Sequence, residues 1–257
     1  MTLLTVFWLS LIEGTTEFLP VSSTGHMVLL AHFLGLDLHA QEVASFIILI
    51  QLGAILAVFV AFLKNISKNE VLKILIAFLP TAIVGFGLYR VIKTILITNP
   101  LVIAWALLIG GVVMLLADKF LFPKLKIFQN GKIEELSYFK TALVGLIQTL
   151  AIVPGVSRSM ASILGGRLTG LTEPEAIRFS FLLATPTIAA ASLYDVYKTG
   201  FNSNLNWQTG LGFILAFIFA YLAVRIFNKY YQKLSFTFFG WYRIILGGVT
   251  LLVLFYR

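Results

Sequence analysis

Cysteine is absent from the 257 residues, which excludes disulfides, thiolate nucleophiles and cysteine-ligated metals. Charge is scarce too, with 12% of residues ionisable as Asp, Glu, Lys or Arg, about half the share of a soluble domain. Acids number 11 against 19 Lys and Arg, a formal net charge of +8. In a soluble chain that surplus would suggest nucleic acid. Here the basic residues sit mostly in loops between apolar runs, so they read as a membrane-orientation signal and no nucleic-acid partner is expected. Met1-Thr-Leu-Leu-Thr-Val-Phe-Trp8 carries no basic stretch and does not read as a cleaved signal peptide. What abounds is apolar: 59% of residues, with a mean hydropathy of +0.96. The composition predicts an all-α polytopic protein whose solvent is the lipid bilayer.

Six runs are long enough to cross about 30 Å of hydrocarbon, at roughly 42–63, 72–92, 99–118, 174–197, 208–227 and 239–256. Two further regions, about 1–34 and 137–168, each hold an apolar helix, a break at Pro20 or Pro154, and a second short helix. Their arms are too short or too polar to span easily, which predicts re-entrant helix–loop–helix hairpins lining a cavity. The halves resemble each other at an offset of about 135 residues, with Val21-Ser22 on Val156-Ser157 and Leu108-Ile-Gly-Gly-Val112 echoed by Ile245-Leu-Gly-Gly-Val249. Each half reads as one hairpin and three spans, so the second copy is inverted, and such repeats place their site near the midplane. The expectation is one integral membrane domain, with repeat one about 1–118, repeat two about 137–257, and a basic cytoplasmic loop about 119–136 between them.

Orientation follows from the basic residues. Fourteen fall on one side, Arg243 among them, and four on the other, Arg158 being left uncounted in the second hairpin. By the positive-inside rule both termini lie outside and the first hairpin enters from the outer face. In this topology Arg158 is the one basic residue expected to be buried.

The first hairpin carries an expensive set of side chains for hydrocarbon: Glu13, Glu17, Ser22, Ser23, Thr24 and His26. Glu13 and Glu17 are four apart and share a helix face, so they need a shared proton, a basic partner or a cation. Mg²⁺ or Ca²⁺ suits paired carboxylates; the plainer alternative is a basic residue across the bundle. His26 beside three hydroxyls reads as catalytic, whereas His32 and His39 read as loop or interface residues. Ser22 and Thr24 serve equally as helix caps. In the second hairpin Pro154-Gly155-Val156-Ser157-Arg158-Ser159 opens a helix, whose N–H groups bind anions and whose Arg158 offers planar donors to phosphate. Arg158 also suits a charge partner for Glu13 or Glu17. Trp8, Trp105, Trp207 and Trp241 read as belt or packing residues, Gly110-Gly111 and Gly247-Gly248 as close helix contacts. The 119–140 loop reads as a segment lying on the anionic inner leaflet.

Glu-Gly-x-Thr-Glu-Phe-Leu-Pro-Val-Ser-Ser-Thr-Gly-His, with Pro-Gly-x-Ser-Arg-Ser about 135 residues later, resembles the undecaprenyl-diphosphate phosphatases, the bacitracin-resistance family of bacterial inner membranes. The likeness covers essentially the whole chain. It implies a hydrolase that removes the terminal phosphate of undecaprenyl diphosphate, returns undecaprenyl phosphate to peptidoglycan synthesis, and depends on Mg²⁺ or Ca²⁺. Carried over by motif, Glu13 and Glu17 fall on the acidic, metal-binding motif, with Glu17 also catalytic. His26 falls on the catalytic histidine, Ser23 on the implicated serine, and Arg158 with Ser157 and Ser159 on the phosphate-binding motif. Ser22, Thr24, Gly25 and Gly155 complete the expected phosphate cradle. Ser162 stands where the family commonly has Thr, which keeps the hydroxyl. The nucleophile stays open among Ser23 activated by His26, the favoured reading, His26 itself, and water with His26 as base. A polyprenyl-phosphate or anion flippase using the same midplane site is the competing class. Oligomeric state is not set by the sequence, and a homodimer stays open.

Overall fold

The computed structural model describes residues 1–37, 40–62, 66–96, 99–125, 131–199, 207–230 and 235–256. His39, Lys64, Lys126, Lys233 and Arg257, which entered the sequence reading, lie outside them. Ten helices of eight residues or more occupy the described residues, and no strand does. They are α1 (Leu3–Thr16), α2 (Ser23–Leu34), α3 (Gln41–Phe62), α4 (Lys68–Gly87), α5 (Pro100–Leu116), α6 (Tyr138–Gln148), α7 (Arg158–Leu168), α8 (Glu173–Thr199), α9 (Trp207–Tyr230) and α10 (Phe236–Phe255). Six segments are long and apolar enough to cross a membrane, namely Glu42–Phe62, Lys68–Gly87, Pro100–Leu125, Glu173–Lys198, Trp207–Phe227 and Phe236–Phe255.

Helix starts follow local chemistry. Ser67 caps α4 in a reciprocal box with Glu70. Asn99 caps α5, where Pro100 occupies the first position and gives up no bonded N–H. Ser137 and Ser235 accept N–H bonds at the starts of α6 and α10. The third span runs past its expected end at 118 because a π-turn, Ala117–Leu121, carries it into Phe122–Leu125.

Packing between helices depends on missing side chains, as expected where lipid and protein are equally apolar. A Cβ on Gly145 of α6 would meet the Ala77 carbonyl of α4 at 2.0 Å, and one on Gly14 of α1 the Ala216 carbonyl of α9 at 2.7 Å. The two first arms, α1 and α6, are therefore each pressed onto the second span of the other half. Gly110, Gly111 and Gly247 are close contacts between α5 and α10, whereas Gly248 faces open space. All four tryptophans are exposed on the flank of the bundle.

Residues 131–137 are tied to the helices beside them: Ile133 N–H donates to Glu175 Oε2 at 3.1 Å, Lys73 Nζ donates to the Leu136 carbonyl, and Gly131 bridges to Leu171. One expectation fails: Arg158 is not the one buried base. Lys73 and Arg167 are buried, and Arg243, counted above with the cytoplasmic charges, is the largest fully buried side chain, at 0% exposure. It lies two turns inside α10 rather than at its mouth, because the helix begins at Phe236.

Candidate active site

The two hairpin turns share an unusual backbone. Ser22 and Ser157 have φ of 70° and 75°, the two non-glycine residues with positive φ among those described, in a region that costs an L-residue about 1–3 kcal/mol. Each hydroxyl then caps the helix that follows: Ser22 Oγ accepts from Gly25 N–H at 3.4 Å and Ser157 Oγ from Met160 N–H at 3.3 Å. The capping role left open for Ser22 is therefore the one observed. Gly155 has φ +96°, and a Cβ there would meet the Ile103 carbonyl at 2.6 Å; one on Gly25 would meet Leu107 at 2.8 Å. Both glycines bring the turns against α5. Thr24 is half-buried beside them.

The turns bring the acidic and basic motifs together. Glu17 follows α1 in helical conformation, one turn after Glu13. Its carboxylate joins both hairpins: Oε2 accepts from Ser23 Oγ at 2.6 Å and Oε1 from Arg158 Nη2 at 3.2 Å. The Arg158 and Glu17 side chains are 10% and 11% exposed. Arg158 Nη1 donates to the Ser180 carbonyl at 3.0 Å, which anchors it to α8, and its guanidinium lies 5.6 Å from the Phe18 ring. Ser159 donates to the Leu19 carbonyl at 2.6 Å, a second link between hairpins. Ser162, at the position that departs from the family motif, donates to the Arg158 carbonyl at 2.8 Å and bonds Ser180 Oγ at 2.7 Å.

Two groups in this cluster are unsatisfied. Glu13 is fully buried and neither carboxylate oxygen accepts from a donor of the protein, its carboxyl lying against that of Glu17; Arg158 Nε has no acceptor either. A carboxylate taken out of water carries a large cost that a bound cation removes, and an orphaned N–H so close by suits an anion. The donor set fits a hard divalent ion. No cluster of three His, Cys, Asp or Glu exists among the described residues, so such an ion would rest on the glutamates and complete its shell with water and phosphate oxygens, as Mg²⁺ commonly does.

His26 stands apart from Ser23. Its Nδ1 is 2.8 Å from the Ser22 carbonyl and its Nε2 is 2.6 Å from the Tyr242 hydroxyl. A carbonyl oxygen only accepts, so Nδ1 carries the hydrogen; in neutral imidazole Nε2 then offers a lone pair, and the phenol donates to it. The expected Ser23–His26 pair is thus replaced by Ser23–Glu17 and His26–Tyr242. The reason lies in the turn: the Ser22 backbone sends Ser23 Oγ back over α1, while one turn further on His26 faces α10.

Three residues that bond to this cluster escaped the sequence reading as site candidates. Tyr242 gives no signal in an aromatic-rich span, and Ser180 none in a long helix. Arg243 did: a charge inside an apolar run deserves the suspicion given to Glu13. Its Nη1 donates to the carbonyls of Pro20 at 3.4 Å and Val156 at 2.8 Å, its Nη2 to those of Ala106 at 3.1 Å and Gly155 at 2.7 Å. One side chain ties both hairpin turns to the α5–α10 pair.

Residues 6–249 match the family described as Bacitracin resistance protein BacA. The chain is 45% identical over 250 residues to a protein of Sulfurihydrogenibium sp. (strain YO3AOP1) named undecaprenyl-diphosphatase, which covers 96% of this chain and 97% of that one. A protein of the same name from Aquifex aeolicus is 44% identical over 245 residues, 94% of each chain. A third, from Bdellovibrio bacteriovorus, is 40% identical over 252 residues, 96% of this chain and 94% of its own.

Proposed function

The chain belongs to the bacitracin resistance protein BacA family, and from that premise we propose how its two hairpins act as an undecaprenyl-diphosphatase. The reaction is hydrolysis of the terminal phosphate of undecaprenyl diphosphate, which yields undecaprenyl phosphate, a carrier lipid of cell-wall synthesis. The observation that carries the reading is the pairing of orphans at one buried junction: Arg158 Nε as an unused donor, Glu13 Oε1 and Oε2 as unused acceptors.

In this reading the terminal phosphate sits against Arg158 and the N–H groups at the start of α7. Charge on its equatorial oxygens meets preorganised donors there, and little reorganisation is needed at the moment of reaction. Ser23 is the nucleophile. Its proton passes to Glu17 Oε2 along the existing bond as Oγ attacks the terminal phosphorus. The bridging P–O bond breaks, and its electron pair leaves with undecaprenyl phosphate. Arg158 keeps the Glu17 carboxylate turned towards Ser23 during the step. Water then hydrolyses the phosphoserine. Glu13, with the remaining lone pairs of Glu17, would hold Mg²⁺ or Ca²⁺, whose contribution is to offset charge on the diphosphate oxygens. Ser157, Ser22, Gly25 and Gly155 shape the turns, and Thr24 adds a hydroxyl at their rim.

The two halves are read as an inverted repeat with both termini outside and the hairpin cleft open to the outer face. Support comes from the shared Ser22 and Ser157 geometry and from the fourteen-to-four basic bias, which is still eleven to four once the buried Lys73, Arg167 and Arg243 are removed.

Protein purified in detergent, given undecaprenyl diphosphate and Mg²⁺, should release inorganic phosphate, and Glu17→Gln and Arg158→Ala should lose that release. A wild type that releases none but moves polyprenyl phosphate across vesicles would replace the enzyme with a carrier.

A further inference from the structure

His26 can reach a reacting atom only through Tyr242. Both ring nitrogens are engaged, Nδ1 by the Ser22 carbonyl and Nε2 by the phenol at 2.6 Å. An imidazole nitrogen has one lone pair, so no attacking hydroxyl can share Nε2 while the phenol holds it. The two rings are near parallel, 18° apart with centroids separated by 5.6 Å, so the bond is braced by stacking. Tyr242 is 39% exposed, whereas its neighbour Arg243 is locked beneath the hairpin turns. The phenol therefore spans from the half-buried imidazole to the exposed edge between α2 and α10. Its oxygen has lone pairs to accept from a water on that side.

We propose that Tyr242 is a further catalytic residue, a phenol relay that carries the proton of the attacking water to His26. The proposal rests on the phosphatase reading and concerns its second half. As water attacks the phosphorus of phosphorylated Ser23, its proton moves to Tyr242 Oη while the phenol proton moves to His26 Nε2. The new O–P bond forms and the P–Oγ bond breaks. The electron pair goes to Ser23 Oγ, which recovers its proton from Glu17. Tyr242 ends unchanged, and the imidazolium returns its extra proton through the same phenol to the departing phosphate. The balance is one water consumed and one phosphate released. Division of labour follows: Glu17 serves the serine, His26 with Tyr242 serves the water.

The test uses purified full-length protein, undecaprenyl diphosphate with Mg²⁺, rapid mixing and acid quench. Tyr242→Phe keeps the ring and loses the hydroxyl. It should form one undecaprenyl phosphate per enzyme in a burst, accumulate phosphoserine at Ser23, and release inorganic phosphate about 10²-fold more slowly, the lower end of what acid–base catalysis contributes. His26→Ala should behave alike, and the double variant should be no slower than His26→Ala, because one proton path has been cut twice. Tyr242→Leu removes the ring as well; equal loss in Phe and Leu assigns the effect to the hydroxyl. Phosphate release by Tyr242→Phe at the wild-type rate, loss confined to Tyr242→Leu, slow release without a burst, or additive losses in the double variant would each overturn the relay. A wild type that releases no phosphate would instead bring down the phosphatase reading.

Discussion

Arg243 Nη1 donates to the Val156 carbonyl at 2.8 Å from a different helix, and the same guanidinium bonds Pro20 in the first hairpin. One buried side chain in the last span thus braces the two hairpins from beneath, alongside the direct links between them from Ser159 to Leu19 and from Arg158 to Glu17.

Replacing Arg243 by Met should destabilise the protein severely. Four carbonyls lose a donor, and each buried acceptor left unsatisfied costs about 1–3 kcal/mol. Thermal unfolding in detergent should show a drop well beyond that of Arg225→Met, a partly exposed arginine whose described side-chain bonds go to Tyr221 on its own helix. Equal melting temperatures would refute the tie.

Breaking the Arg158–Glu17 pair should be asymmetric in its readouts. Removing one partner of a buried pair costs about 3–5 kcal/mol, so Arg158→Ala and Glu17→Gln should both melt early. Arg158→Lys should recover stability better than activity, since an ammonium restores the charge without the planar donors. Phosphate release and unfolding, measured on the same preparations, decide this.

Glu13→Gln should stabilise the metal-free protein while raising the Mg²⁺ needed for activity. The amide removes a fully buried carboxylate that accepts from no donor and faces the like charge of Glu17, a cost that a bound cation would offset. Chelation should abolish wild-type turnover, and Mg²⁺ or Ca²⁺ should restore it. Melting temperatures with and without chelator give the other half; a destabilised metal-free variant would count against a cation at Glu13.

Ser157→Gly should cost little and Ser157→Ala about 1 kcal/mol or more. Glycine adopts φ near 75° freely and is only a few tenths worse as a cap, whereas alanine loses the cap and keeps the strain. Chemical unfolding of the two variants provides the comparison, and the same order is expected at Ser22.

The six spans were legible because hydrocarbon imposes length and composition on anything that crosses it, and both hairpins because prolines and hydroxyls interrupt those runs. Motif order alone named Glu13, Glu17, Ser23, His26 and Arg158. Partnership was another matter. Ser23 and His26 lie three residues apart, within helical reach, yet the positive φ of Ser22 rotates the serine towards Glu17 and leaves the histidine to Tyr242, 216 residues away. Arg243 was misplaced because a cation near the end of an apolar run looks like an interface residue: hydropathy weighs how much of a helix is polar and is blind to the direction its side chains point.

By itself, then, the sequence determined which groups would be too costly to leave in lipid, since transfer free energy depends on residue type. Which of those groups meet was decided only by the tertiary structure, because a hydrogen bond depends on direction and on distance within a few tenths of an ångström. In this protein both are set by the turns beside the site residues and by partners that lie far away in the sequence.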